Sequence, residues 1–266
     1  MLAISSKNNE KIKDLVKLRD NSKSRDDKSL FYVEGERLFI DIPKNLIFDI
    51  YIKKSKCEYF SKVINDYSDT PIYILDDDVY DKVSDTINSQ GIIARVKYNT
   101  LDNIDKSNLS KINNIIILDK IQDPGNLGTI IRVSEAAGID LIIISDNSCS
   151  IYNTKTIRAS MSSIFRKNIF ISNDLKGIIN ILKDNNFKVF ATAISDDSHT
   201  YYDKVFSDKN AVIFGNEANG VSQDLISLSD EKIKIPMYGK IQSLNVAISS
   251  SIIVYEILRQ SNKNGN

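Results

Sequence analysis

A chain of 266 residues, 42% apolar and 26% charged, can bury a sizeable core and has the make-up of an ordinary globular protein. Basic and acidic side chains balance at 35 each, so bulk charge gives no reason to bind nucleic acid, although a local basic face stays open. No apolar run reaches the ~18 residues of a membrane span, and MLAISSKNNEKIKD lacks a secretory core, which points to a cytoplasmic protein. Cys57 and Cys149 lie far apart, and His199 is the one histidine, which weighs against a disulfide framework, a zinc site or a histidine-based hydrolase.

The first 28 residues carry eight basic side chains against five acidic ones, to be read as a solvated helix face or an RNA contact. Ile12, Leu15, Val16 and Leu18 fall on one face of a predicted helix. Apolar runs at Phe31–Gly35, Leu46–Ile52, Pro71–Leu75 and Gly91–Val96 alternate with helical stretches, predicting a small α/β domain over residues 1–97. It carries no catalytic constellation, so recognition or packing is its expected task. Residues 98–113, polar and rich in Asn and Lys, read as a linker.

Beyond it the apolar runs are nearly continuous, at Ile115–Asp119, Leu141–Ser145, Asn168–Ser172, Lys188–Ile194, Ala211–Gly215 and Ile233–Pro236. Strands without polar alternation are buried on both faces, as in a parallel sheet. Helices predicted at Asn126–Gly138, Thr154–Phe165, Leu175–Asp184 and Ser243–Gln260 make it a doubly wound sheet. The last helix is apolar on nearly every side and belongs in the core or against another subunit. His199, in SDDSHTYYD, reads as a loop residue.

Three polar loops leave strands in this half. In DKIQDPGNLGTIIR (Asp119–Arg132), Pro124 and Gly125 make a turn, Asn126 is expected to cap the next helix, and Gly128 allows a close approach. Arg132, beside Ile130, Ile131 and Val133, needs an anionic partner or a wet crevice. The Gly-Lys-Ser/Thr ending of a Walker loop is missing. In AVIFGNEANGVS (Ala211–Ser222), Glu217 stands at a strand end between glycines, placed to grip a hydroxyl or an arginine. In IPMYGKIQSLNVA (Ile235–Ala247), Gly239 permits a loop and Ser243 is expected to cap the final helix. Singly, each loop reads as structure; three at strand ends are how an open α/β sheet builds a ligand crevice.

In this order, PGNLGTIIR, IFGNEANGVS and IPMYGKIQSLNVA closely resemble the three motifs of the SpoU (TrmH-like) RNA 2′-O-ribose methyltransferase family of the SPOUT superfamily. IRASMSSIFR (Ile157–Arg166) fits the same family, and the likeness runs from Asn114 to about Arg259. The opening, through FYVEGERLF, resembles the substrate-binding domain joined to many of these enzymes. The resemblance implies a C-terminal trefoil-knotted, mostly parallel sheet with helices on both faces over residues 114–266, preceded by a small α/β RNA substrate-binding domain. It also implies a homodimer, with S-adenosyl-L-methionine as methyl donor to a ribose 2′-hydroxyl and ribosomal RNA favoured over transfer RNA. Carried over by position, Arg132 is the catalytic residue, with Asn126, Glu217, Ser243 and Asn245 positioning it and the ribose. Thr192, Gly215, Asn216, Ile235, Met237 and Leu244 meet the cofactor. Two rivals stay open: a nucleotide-binding protein using Asn126–Gly128 for phosphate, and a non-catalytic RNA-binding protein of the same fold.

Overall fold

The computed structural model describes residues 2–104, 109–203 and 206–263. Contacts divide the chain into two units, residues 1–99 with 152–165, and residues 100–151 with 166–266.

In the first unit, β1 (Leu2–Ile4), β2 (Leu30–Glu34), β3 (Ile47–Lys53), β4 (Ile72–Leu75) and β5 (Ile92–Lys97) form one sheet in the order β1-β4-β3-β5-β2. The expected four strands are there; β1, only three residues long, gave no periodicity to read. β1 and β3 flank β4 in parallel, whereas β5 runs antiparallel to both β3 and β2. Helix α1 (Glu10–Asp20), capped by the Asn9 side chain, buries Ile12, Leu15 and Leu18 against Tyr32, Tyr51 and Ile93. α2 (Ser22–Lys28), α3 (Glu36–Ile40), α4 (Ser61–Asp66) and α5 (Asp77–Val83) link the strands.

Much of the basic N-terminal run is structural. Arg25 is buried and donates to the Leu18 carbonyl at 2.8 Å. Lys7, Arg19 and Lys28 pair with Asp78, Asp20 and Asp14. Inside the sheet, Asp49 and Arg95 lie opposite one another in register and are both buried.

The second unit is built on a parallel sheet of β6 (Asn114–Leu118), β7 (Leu141–Ser145), β8 (Asn168–Ser172), β9 (Lys188–Thr192), β10 (His199–Thr200), β11 (Asn210–Phe214) and β12 (Glu231–Lys234). Their order is β10-β12-β9-β11-β6-β7-β8. Ile115, Ile117, Ile143, Ala211 and Ile213 face a cluster with Leu175, Ile179, Leu182 and Leu225. Their alternates Ile116, Ile142, Ile144, Val212 and Phe214 are buried too, so both faces are covered. Helix α6 (Pro124–Ala136) follows β6, α8 (Leu175–Asp184) follows β8 and α9 (Gln223–Leu228) follows β11. The final helix, α10 (Val246–Lys263), packs on α6. Expected as a loop residue, His199 instead pairs at the sheet edge through β10.

Between β7 and β8 the chain supplies α7 (Thr154–Ser160) to the first unit. There Tyr152 stacks on Tyr98 and packs at a tilt against Phe31, with ring centroids 3.8 and 4.5 Å away. The single helix expected over Thr154–Phe165 stops at Ser160, because Met161 and Ser162 take left-handed backbone angles, φ 48° and 69°. Of the expected 98–113 linker, Leu109 and Ile112 are buried in the second unit's core, and residues 105–108 lie outside the described residues. So do residues 264–266 at the end of the expected C-terminal domain.

Two helix starts differ from expectation. Asp123, not Asn126, caps α6, accepting from the Asn126 N–H at 2.8 Å with Pro124 in the first turn. Asn245, not Ser243, caps α10, accepting from the N–H groups of Ala247 and Ile248 at 2.9 and 3.3 Å. Nor is α10 buried all round: Ile248 and Tyr255 are half exposed. Among the described residues no helix is long and apolar enough to cross a membrane.

Candidate active site

From β6 the chain steps through β7 to β8 on one side, while β9, β11 and β12 lie on the other. The C-terminal ends of β6 and β11 therefore flank a point where chain direction reverses, where open α/β sheets hold ligands. The first predicted loop leaves β6 there and the second leaves β11. The third follows β12, two places further along the sheet, yet ends at α10 against α6.

Side-chain amides tie the three loops together. Asn245 donates through Nδ2 to Asn126 Oδ1 at 2.9 Å, and Asn126 Nδ2 donates to Glu217 Oε1 at 2.9 Å. The Glu217 carboxylate also accepts from the backbone N–H groups of Gln122 and Asp123, each at 3.4 Å. Residues 119 and 91 positions apart in sequence thus form one relay. Because Glu217 can only accept, it fixes which end of the Asn126 amide faces Asn245.

Partial burial works to raise the Glu217 pKa, but the hydrogen bonds from Asn126 and the backbone outweigh it and hold the carboxyl below its ordinary value. A group whose folded-state pKa is depressed stabilises the fold above its unfolded pKa and loses that contribution as pH falls through the folded value. Thermal unfolding of wild type and Glu217→Gln should therefore differ most near neutral pH and converge in acid below 4.5, the ordinary value. A gap unchanged from about pH 7 to pH 3 would deny the carboxylate's charge any part in holding the loops.

The second loop is self-braced. Asn216 Nδ2 donates to the Lys120 carbonyl at 2.9 Å, and its Oδ1 accepts from Ala218 and Asn219 N–H at 2.9 and 3.2 Å. A Cβ at Gly215 would sit 2.0 Å from the backbone of Gly220 and Val221, so only glycine lets the loop close on itself. Thr192 donates from Oγ1 to the Ile213 carbonyl at 2.9 Å, joining the ends of β9 and β11. Ile235, Met237 and Leu244 are half-buried along the third loop.

Arg132 and Ser243 take no part in this relay. Arg132 lies six residues beyond Asn126 on α6, on an exposed face with Thr129 and Ala136, and makes no ion pair or hydrogen bond among the described residues. Ser243 is likewise exposed and without a partner among them. Lys120 and Gln122 carry no signal of a functional role in the sequence. Lys120 adopts φ 57°, a left-handed backbone uncommon outside glycine and asparagine, and a lone residue in such a conformation leaves no periodic signal. Among the described residues no group of histidine, cysteine and acidic side chains could hold a metal ion.

Comparison with known proteins agrees with this architecture. Residues 113–255 match the SpoU rRNA Methylase family and residues 9–94 match the MRM3-like substrate binding domain. Over 260 residues the chain is 31% identical to the 23S rRNA (guanosine(2553)-2′-O)-methyltransferase RlmP of Bacillus subtilis, spanning 97% of this chain and 99% of that protein. The AdoMet-bound rRNA methyltransferase from Sinorhizobium meliloti superposes with a TM-score of 0.83 at 25% identity over 97% of both chains. The SpoU methyltransferase AviRb from Streptomyces viridochromogenes, in complex with AdoMet, superposes with a TM-score of 0.84 over 96% of this chain and 98% of that one. At 20% identity that second likeness is one of fold.

Proposed function

Since the chain belongs to the SpoU rRNA methylase family, we propose that it transfers a methyl group from S-adenosylmethionine to a ribose 2′-hydroxyl of 23S ribosomal RNA. The observation that carries this reading is the Asn245–Asn126–Glu217 relay, which draws the three motif loops to one place.

The residues present suit the cofactor. Half-buried Ile235, Met237 and Leu244 offer an apolar wall, and the tight 215–220 loop leaves backbone rather than side chains to face a ligand. Thr192, Gly215 and Asn216 complete this set; the Asn216 side chain is spent on the loop, which leaves its backbone for the ligand. When bound, S-adenosylmethionine supplies an activated methyl group on a sulfonium.

What the protein contributes is alignment and charge. The Arg132 guanidinium acts as a cation that holds an RNA phosphate and steadies negative charge developing on the 2′-oxygen. Asn126, Glu217 and Asn245 are positioning residues: their relay fixes the start of α6, which carries Arg132, against the loop entering α10. Ser243, exposed next to Leu244 in that loop, is free to hydrogen-bond the ribose.

The same reading includes a trefoil knot over the C-terminal domain, residues 114–266. Its support is that α10 packs on α6 although the strand before it lies beyond β9 and β11 in the sheet. A homodimer seam along α10 is favoured by Ile248, Ile252 and Tyr255, which recur on one helical face with Ile248 and Tyr255 half exposed. Residues 1–97 take up the RNA, and the site of action is the cytoplasm.

Ribose methylation mapped in RNA from cells with and without the gene tests the function. One 2′-O-methyl group of 23S rRNA should vanish with the gene. Loss from transfer RNA instead would move the substrate there, and loss from neither would overturn the reading.

A further inference from the structure

Beside the relay, on the side of β7, lies an open crevice of about 730 Å³, within the range of small-ligand sites. Its rim carries Lys120, Gln122, Asn147, Asn216, Asn219 and Gln223, and among the described residues no carboxylate lines it. Asn147, Asn219 and Gln223 are exposed, and their side chains make no hydrogen bond among the described residues. Each free carboxamide offers both donors and an acceptor, the pattern that base edges present in return.

Among the described residues Lys120 is the one cation on the rim, and its position is built. Its N–H donates to Ser145 Oγ at 2.8 Å, and its carbonyl accepts from Gln122 Nε2 at 3.1 Å and Asn216 Nδ2 at 2.9 Å. Glycine would take the φ of 57° without strain; what lysine adds is a charged side chain, whose Nζ lies 3.3 Å from Ser222 Oγ. A surface with one cation and several amides is poorly suited to hold RNA by charge alone and well suited to read it.

We propose that this crevice binds the nucleotide next to the methylated one. The carboxamides of Asn147, Asn219 and Gln223 read its base, and Lys120 meets its phosphate. The inference rests on the RNA methyl-transfer reading and adds the subsite that selects the sequence context.

Methylation kinetics on an unmodified 23S rRNA transcript test it, comparing wild type, the triple variant Asn147→Ala/Asn219→Ala/Gln223→Ala and Lys120→Gln. For the triple variant, KM for RNA should rise roughly tenfold or more, with kcat and S-adenosylhomocysteine affinity close to wild type. That penalty should disappear on RNA made abasic at one neighbour of the target nucleotide. Lys120→Gln should flatten the dependence of log KM on log salt by about 0.7, the share of one single-strand phosphate contact. A wild-type KM in the triple variant, or a penalty that persists with either neighbour abasic, overturns the subsite while methyl transfer stands. An unchanged salt slope in Lys120→Gln removes the phosphate contact. Wild-type protein that methylates no RNA overturns the function and this inference with it, and is recognised because the unsubstituted enzyme is itself inactive.

Discussion

Arg132→Ala should lower kcat for RNA methylation by at least about 10²–10³-fold, the usual effect of removing one donor aimed at developing oxyanion charge. Binding of S-adenosylhomocysteine should stay within about twofold, because the residues assigned to the cofactor come from the ends of β9 and β11 and from the loop between β12 and α10, and not from α6. Stability should change by no more than about 0.5 kcal/mol, since the side chain is exposed and bonded to nothing among the described residues. Single-turnover methylation, calorimetry and thermal unfolding of one preparation separate the three effects. Arg132→Lys keeps the charge but loses the planar fork that grips a phosphate, so it should recover only part of the rate. An Arg132→Ala enzyme that methylates RNA at the normal rate would end this residue's catalytic role.

Repetitive features of the fold were legible in the chain. Leu141–Ser145, Asn168–Ser172 and Leu175–Asp184 fall where their apolar patterns put them: the first is a strand buried along its whole length, the second a strand with Ile169 buried, and the third a helix that buries Leu175, Ile178, Ile179 and Leu182 on one face. The misplaced features are those decided by a single turn of backbone. Asp123 and Asn126 are both competent caps, as are Ser243 and Asn245, and the choice depends on where the chain turns into the helix. The transfer of residues 152–165 to the first unit has no periodic signal either. It is held by Tyr152 packing on Tyr98 and Phe31, a meeting of residues more than fifty positions apart.

At the site, composition and spacing yielded three loops at strand ends and no more. Their convergence on one relay was reachable only through the family resemblance, since hydrogen bonds across 91 and 119 residues leave no trace in local pattern. Lys120 shows the opposite limit. It occupies a position where the resemblance prescribed nothing, and its left-handed backbone became visible only with the fold.

The largest loss of stability should come from Asp49→Ala, far from the chemistry. Asp49 and Arg95 face each other across β3 and β5, with Arg95 Nε and Nη2 on the two carboxylate oxygens at 2.8 and 2.5 Å. Both are at least 95% buried, and Tyr51 donates a third hydrogen bond to Asp49 at 3.0 Å. Removing the carboxylate strands a guanidinium among Phe48 and Tyr51, whose rings lie 5.0 and 5.8 Å from it. Breaking a buried pair in this way costs about 3–5 kcal/mol. Asp14, 3.8 Å from the same guanidinium, should keep the loss towards the lower end of that range. The chain has no tryptophan, so far-UV circular dichroism is the natural probe, and the first thermal transition should fall by more than about 10 °C. Replacing both partners, as Asp49→Leu with Arg95→Met, leaves no charge unpaired and should recover most of the loss. If Asp49→Ala unfolds within about 1 kcal/mol of wild type, water or Asp14 is already supplying what the carboxylate gives, and the pair is not what holds this sheet's centre. If the double variant is no better than the single, the cost lies in lost packing, not in the stranded charge.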